Sequence, residues 1–193
     1  MRRFTTSAFF AAGLVLLLAN GAAAAGAYTI DPLHTFVEFR IKHLGFSWMV
    51  GTFDKVTGDL TFDPATGEGG QAITVNIDTA SIDTSHAERD KHLRSPDFLD
   101  VDKFPTASFA STGFKGDATG GVLTGTLTLH GVTKTVSFPV KPVGEGKDPW
   151  GGYRAGFEGE LTIDRRDYGM DKALGPASWD VSLFFSVEGI LKK

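Results

Sequence analysis

The chain contains no cysteine, and this absence excludes several kinds of protein. Without cysteine there is no disulfide, no thiolate metal site and no residue to carry the lipid of a bacterial lipoprotein. Stability must therefore come from the hydrophobic core. The chain is also short of positive charge, with 19 Lys and Arg against 23 Asp and Glu, and this balance argues against nucleic-acid binding, which requires a basic face.

The motifs of the common enzyme classes are missing as well. There is no Gly-x-Ser-x-Gly elbow, no His-Glu-x-x-His pair and no glycine-rich phosphate loop. His86 and His92 are six residues apart, so they do not share a helix face as paired metal ligands would. No pair of carboxylates is set apart for acid–base chemistry. We therefore expect no enzyme activity, no catalytic residue, no metal site and no cofactor.

The first 27 residues have the three parts of a secretory signal peptide. Arg2 and Arg3 form a positive start, and Ala8–Ala19 is apolar but too short to span a bilayer. Small residues permit cleavage after Ala25 or Ala27, which changes the formal net charge from −4 to −6. We expect export to the periplasm and no stable membrane insertion after cleavage. A retained membrane anchor is the other interpretation.

The rest of the chain is dominated by segments in which apolar and polar residues alternate, as in half-buried strands. In Thr35–His43 one face carries Val37, Phe39, Ile41 and His43. Seven further segments have the composition of strands: Trp48–Phe62, Gln71–Thr79, Thr106–Phe114, Val122–Leu129, Val132–Val143, Tyr153–Ile163 and Trp179–Leu191. Most are joined by short turns, which predicts an antiparallel order.

Eight antiparallel strands with one apolar face must either pack as two sheets or close into a barrel. Strand length favours closure, because many of these segments exceed ten residues, whereas strands of sandwiches are usually about five or six residues long. Glycines within the strands, such as Gly125 and Gly159, allow the bends that closure needs. We expect an all-β protein with a single antiparallel eight-stranded barrel. Periodicity alone leaves open whether its phenylalanines fill the interior or surround a ligand.

One segment outside the expected signal peptide has the sequence pattern of a helix. Ser85 and Glu88 have the spacing of a capping box, and the helix is expected over His86–Arg94, ending at Ser95 and Pro96. Nine residues are too few for a stable isolated helix. The segment must therefore be held by the remainder of the fold, and it is expected near one end of the barrel.

Several blocks of the chain resemble the YceI-like proteins. They are the Asp-x-x-His start at Asp31–His34, Lys-His-Leu-Gly at Lys42–Gly45, Arg-Asp-x-His-Leu-Arg-Ser at Arg89–Ser95, Leu-Thr-x-His-Gly-Val-Thr-Lys at Leu127–Lys134, and Arg-Arg-Asp-Tyr-Gly at Arg165–Gly169. The resemblance covers essentially all of residues 28–193. It implies a lipocalin-like barrel that binds a long isoprenoid lipid, such as a polyprenyl phosphate or the tail of ubiquinone, and acts as a periplasmic carrier.

On this interpretation the apolar strand faces supply the contacts to the lipid tail. The expected cavity residues are Phe39, Ile41, Phe53, Phe109, Leu127, Phe157, Leu161, Leu183 and Phe185. His43 lies on the same predicted face, either as a polar contact to a head group or as a core histidine satisfied by a neighbour. His34 and His130 are expected to have local roles in turns.

Arg94 and Arg165 are the expected contacts to a lipid head group. Both belong to basic clusters, one on the predicted helix and one before a turn. A guanidinium binds phosphate through paired hydrogen bonds, so these residues could form a cationic rim at the mouth of the barrel. The other interpretation is a solvated face offset by nearby carboxylates.

Two other functions remain open at this level. The protein could be an accessory factor that acts on a bound quinone, or a structural or stress-related protein whose barrel is packed and holds no ligand. A homodimer is possible through an exposed strand edge. Chain length, head group, cleavage site and pathway are not determined by the sequence.

Overall fold

The computed structural model describes residues 26–63, 72–175 and 177–193. Most of the expected signal peptide, residues 1–25, lies outside the described residues. The strands are β1 (Gly26–Ile30), β2 (Phe36–His43), β3 (Ser47–Phe53), β4 (Val56–Phe62), β5 (Ala72–Asp78), β6 (Ile82–Asp83), β7 (Thr106–Asp117), β8 (Gly120–Leu129), β9 (Val132–Lys147), β10 (Tyr153–Asp164) and β11 (Asp180–Leu191). Helix α1 spans Ala87–Arg94, and two short 3₁₀ turns span Thr79–Ser81 and Arg165–Tyr168.

The strands form one antiparallel sheet that closes on itself. The order along the sheet is β1-β4-β5-β7-β8-β9-β10-β11-β2-β3-β6, and β1 also pairs with β11. Tyr28 closes the circle, because it lies opposite Leu60 on one side and Leu191 on the other. β1 with β2, β3 with β4, and β5 with β6 are each one barrel strand with a short interruption, so the eleven strands make eight barrel strands. The predicted antiparallel eight-stranded barrel is therefore confirmed.

The prediction of one continuous strand over Trp48–Phe62 is wrong, because the strand pairing is interrupted at Asp54 and Lys55. The backbone N–H groups of these two residues donate to the carbonyl and the hydroxyl of Ser81, at 3.2 and 3.1 Å. Before the break β3 pairs with β2 and β6, and after it β4 pairs with β1 and β5. Because β2 and β1 belong to one barrel strand and β6 and β5 to another, β3 and β4 keep the same two neighbours on both sides of the interruption.

The predicted capping box is also wrong, although the helix lies where it was expected. The N-cap of α1 is His86, whose Nδ1 accepts a hydrogen bond from the backbone N–H of Arg89 at 3.2 Å. Ser85 lies outside the helix with φ of 60°, and its own N–H donates to Asp83 Oδ1 at 2.6 Å. The imidazole nitrogen replaces the hydroxyl as acceptor one residue further along the chain.

Helix α1 is held at one end of the barrel by polar contacts to the chain just before it. Asp90 is buried and accepts hydrogen bonds from the N–H and the hydroxyl of Thr84, at 2.9 and 2.5 Å. Arg89 donates to the Thr84 hydroxyl and carbonyl, at 2.7 and 2.6 Å. Burial opposes ionisation of Asp90, but these hydrogen bonds and the neighbouring arginines lower its pKa. Tertiary contacts thus stabilise a helix too short to persist alone.

The apolar side chains form two clusters inside the barrel. One surrounds Phe39, Leu127 and Ile163 near helix α1. The other surrounds Tyr28, Leu60 and Val187 at the opposite end. Among the described residues, no helix has the length and apolarity needed to cross a bilayer.

Candidate ligand cavity

A cavity of about 260 Å³ lies inside the barrel. Its wall is built mainly from the inward-facing aliphatic and aromatic side chains of the strands. The nine residues expected to contact a lipid tail all line it: Phe39, Ile41, Phe53, Phe109, Leu127, Phe157, Leu161, Leu183 and Phe185. The alternation of side chains along each strand is what brings them to one interior surface.

Glycines on neighbouring strands let phenylalanine rings lie flat against the wall. Gly51 is buried opposite Phe39, and a Cβ at Gly51 would lie 2.5 Å from the end of that ring. A Cβ at Gly125 would lie 2.4 Å from the Phe109 ring. Each ring occupies the space that a side chain at the glycine would otherwise fill, so the centre of the barrel stays open.

Aromatic contacts continue around the wall. Phe138 packs against Phe109 and Phe185, with ring centroids 5.5 and 5.6 Å apart. Phe62 meets Phe157 edge to face at 4.9 Å. Such tilted pairs are favourable in themselves, so the rings hold defined positions around the cavity.

Sequence reasoning missed several lining residues. Phe138 could have been found, because Val136, Phe138 and Val140 alternate along β9. Phe98 and Met170 could not, since they lie in irregular segments without periodicity. These last two help to close the cavity near helix α1.

Few polar side chains border the cavity. Asp117, Lys141 and Glu158 do so on β7, β9 and β10. Lys141 and Glu158 form an ion pair at 2.8 Å, and this hydrogen bond raises the pKa of Lys141. The pair is neutral as a unit, so it does not offer an unpaired charge to a ligand.

Arg165 lines the cavity but has a different role from the one expected. It is buried, and its guanidinium donates to the carbonyls of Ser178, Met170 and Lys172, at 2.8, 2.5 and 2.5 Å. It also lies 4.5 Å from the centre of the Trp179 ring. Burial lowers the pKa of Arg165. This residue organises the irregular segment that follows it.

Arg94 is not part of the cavity wall. Its Nε donates to the carbonyl of Ala80 at 2.8 Å and its Nη2 to that of Ile82 at 2.6 Å. The structure therefore does not bring Arg94 and Arg165 together as a rim of free guanidinium groups. Both use their donors on backbone carbonyls, which have no signature in the sequence.

His43 is likewise outside the cavity. It pairs with Ser47 at the end of the β2–β3 ladder and is exposed. The predicted alternation holds as far as Ile41, but β2 continues beyond the end of the barrel. The next inward position therefore faces solvent.

His34 and His130 both lie in turns as expected, but the His130 side chain makes its contact outside its own turn. His34 Nδ1 lies 2.8 Å from Asp31 Oδ2, within the turn that separates β1 from β2. His130 has φ of 50° in the two-residue β8–β9 hairpin, and its Nδ1 lies 2.9 Å from the carbonyl oxygen of Tyr168.

Asp31, His34 and Glu188 are close enough to share a cation. Arg154 already binds there, donating from Nη1 to Asp31 at 2.6 Å and to Glu188. Its Nε donates to Asp148 at 3.0 Å. A guanidinium thus neutralises the carboxylates that a metal ion would need.

Comparisons with known proteins agree with this architecture. The family model of the YceI-like domain matches residues 28–189. A UPF0312 protein of Pseudomonas aeruginosa strain LESB58 is 52% identical over 187 residues, which cover 96% of this chain and 97% of the relative.

Solved structures share the same barrel. A YCEI protein of Campylobacter jejuni, 32% identical, superposes with a TM-score of 0.71 over 79% of this chain and 91% of its own. A polyisoprenoid binding domain from Saccharophagus degradans superposes with a TM-score of 0.61 at 18% identity, covering 86% and 98% of the two chains. At 18% identity, the similarity to the Saccharophagus degradans domain shows a shared fold and nothing more.

Proposed function

The chain belongs to the YceI-like family, and from this premise we propose that it binds a long-chain isoprenoid lipid inside its barrel. The observation that carries the proposal is the apolar cavity, whose wall is lined with phenylalanine and aliphatic side chains. A polyisoprenoid binding domain from Saccharophagus degradans has the same fold. This precedent supports the choice of ligand class.

Burial of the tail supplies the binding energy. Each methylene removed from water contributes about 0.8 kcal/mol, so ten of them supply roughly 8 kcal/mol before the entropic costs of association. Tilted aromatic rings such as Phe138 and Phe185 suit the flat, branched units of an isoprenoid. No reaction on the ligand is required, and the chain acts as a non-covalent carrier.

Recognition of the tail, and not of a charged head, is the proposed basis of selectivity. In the described part of the cavity wall the cations are Lys141 and Arg165. Lys141 forms an ion pair with Glu158, and Arg165 donates hydrogen bonds to three backbone carbonyls. A quinone or a polyprenol therefore fits the wall as well as a polyprenyl phosphate does. We expect a prenol and its phosphate to bind with similar affinity.

A periplasmic carrier role completes the proposal. It rests on the expected signal peptide at residues 1–27, which would place the barrel between two membranes. A lipid with a long isoprenoid tail cannot cross that aqueous space unaided, since its apolar surface must leave water. A closed barrel around the tail would solve this problem.

Native mass spectrometry of the mature protein from the host periplasm tests the proposal. Organic extraction of the same sample then identifies what was bound. We expect one isoprenoid lipid per chain. A protein that is reproducibly empty and also ignores added isoprenoids would contradict the proposal and favour a packed barrel.

A matched pair of variants on β11 locates the ligand. Leu183 lines the cavity, whereas its neighbour Phe184 is partly exposed on the outer face. Leu183→Trp should fill the cavity and abolish lipid recovery, and Phe184→Trp should leave it unchanged. Equal recovery from both variants would mean that the lipid lies elsewhere.

A further inference from the structure

The hairpin between β2 and β3 carries an unusual group of exposed apolar side chains. Leu44, Phe46, Trp48 and Val50, here called the apolar tip, are all exposed, and Phe46 is 87% accessible to solvent. Single exposed apolar residues are common, but four within seven positions of one hairpin form a patch. Such a patch indicates a surface that is covered by a partner.

Two cationic side chains lie beside the apolar tip. The Arg40 guanidinium and the Lys42 ammonium lie 5.1 and 5.4 Å from the centre of the Trp48 ring. Residues 39–53 contain no Asp or Glu, although the whole chain has a net charge of −4. Arg40 also reaches Glu160 on β10 at 3.2 Å, but both side chains are about half exposed, so that pair is weak.

The backbone conformation of the turn also indicates that Leu44 has a role outside the folded core. Phe46 N–H donates to the His43 carbonyl at 2.9 Å, and the two central residues, Leu44 and Gly45, have φ of 53° and 83°. Such turns favour Asn-Gly, and a leucine in the left-handed region is disfavoured by its Cβ. A strained leucine with an exposed side chain gains little from the folded core.

The apolar tip is continuous with the wall of the cavity. Met49, on the same hairpin, lines the cavity. So does Leu174, which is itself partly exposed. Leu44 Cδ2 lies 2.6 Å from the position that a Cβ would take on Gly175, the residue after Leu174. Apolar surface thus leads from the tip to the interior.

We propose that the apolar tip docks the protein on an anionic phospholipid bilayer. Leu44 and Phe46 enter the acyl region, Trp48 lies at the level of the head groups, and Arg40 and Lys42 face the lipid phosphates. Aromatic and cationic residues take these depths at membrane interfaces. The inference rests on the proposed function, to which it adds where the lipid enters and leaves.

Co-sedimentation with vesicles made of equal parts of phosphatidylethanolamine and phosphatidylglycerol tests the docking itself. These vesicles contain no isoprenoid, so the result does not depend on filling of the cavity. We expect Phe46→Ser and Leu44→Asn each to weaken vesicle binding by about tenfold or more. Leu44→Asn keeps the fold, because asparagine suits a turn position with positive φ.

Trp150 offers a matched control. It is 81% accessible and lies in the β9–β10 hairpin at the opposite end of the barrel, 5.8 Å from the Arg154 guanidinium. We expect Trp150→Ser to bind vesicles as the unchanged protein does. The unchanged protein should bind more weakly to vesicles of phosphatidylcholine alone, whose head groups carry no net charge, and in added salt, which screens the attraction of the anionic lipids for Arg40 and Lys42.

Failure of docking is separable from failure of the proposed function. Binding of a short, water-soluble isoprenoid to the protein without vesicles measures the cavity, and it should be the same for Phe46→Ser as for the unchanged protein. Absence of vesicle binding, or equal loss in Trp150→Ser, would overturn the docking proposal even if the isoprenoid binds. Dimerisation that depends on Phe46, without vesicle binding, would overturn it in favour of a second copy of the chain.

Discussion

Phe39 covers Gly51 across the β2–β3 ladder, and its ring occupies the space that a side chain at Gly51 would need. This arrangement keeps a large ring on the wall of the barrel. It explains how a barrel rich in phenylalanine still encloses a cavity, and it makes the cavity sensitive to a single methyl group.

Gly51→Ala should therefore reduce ligand binding. The added Cβ would lie 2.5 Å from the Phe39 ring and 2.8 Å from Thr84 Cγ2, so the ring must turn into the cavity. We expect isoprenoid affinity to fall several-fold and stability to fall by about 1–2 kcal/mol. Titration with a fluorescent isoprenoid and urea unfolding measure the two effects.

Gly113→Ala is the control for that change. Among the described residues, and apart from its two chain neighbours, no atom lies within 4 Å of a Cβ at Gly113, which also belongs to a strand. This variant should bind and unfold as the unchanged protein does. An equal loss of affinity in both variants would show that the Phe39–Gly51 contact does not shape the cavity.

Arg154→Met should destabilise the fold. Arg154 bridges Asp31, Asp148 and Glu188, which belong to different turns and strands. Removing the cation leaves three carboxylates close together, one of them buried, and should lower the free energy of unfolding by about 2–3 kcal/mol. Lys55→Met, which breaks an exposed pair with Asp78, should have no measurable effect in urea unfolding.

Acid should weaken the same cluster through Asp31. Burial by itself would raise the pKa of Asp31, but hydrogen bonds from Arg154, His34 and the Leu33 N–H outweigh it and lower the pKa to about 2. A carboxyl whose pKa is lowered on folding stabilises the protein above its ordinary pKa of 3.8, and that contribution is lost as the pH falls toward 2.

Comparison with Asp31→Asn isolates this contribution, because other carboxylates also titrate in acid. The unchanged protein should be more stable than the variant at neutral pH, and the difference should shrink as the pH falls from 3.8 to about 2. Urea midpoints measured across this range provide the test. A difference that is independent of pH would contradict the assigned cause.

The position of β1 leads to a prediction about processing. Gly26 and Ala27 pair with Phe62 and Thr61, and the Ala27 carbonyl accepts from the Lys192 N–H at 2.8 Å. Cleavage after Ala27 would remove these contacts, whereas cleavage after Ala25 preserves them. We expect N-terminal sequencing of the exported protein to begin at Gly26, and a start at Tyr28 would refute this.

Alternation in the sequence determined the strands and their inward faces. The nine residues expected in the cavity all line it, because side chains on a strand alternate between two faces and the barrel has only one interior. Phe138 belongs to the same pattern. The His130-Gly131 hairpin was also predictable, since two residues of positive φ suit a tight turn.

Only the tertiary structure decided the roles of the charged and irregular residues. Arg94 and Arg165 bind backbone carbonyls of nearby segments, 14 and 13 residues away for Ala80 and Ser178, and a carbonyl has no sequence signature. His43 lies beyond the barrel because the end of β2 depends on its neighbours. Local periodicity determines which face a residue occupies, whereas long-range packing determines where the barrel ends and which donors remain free.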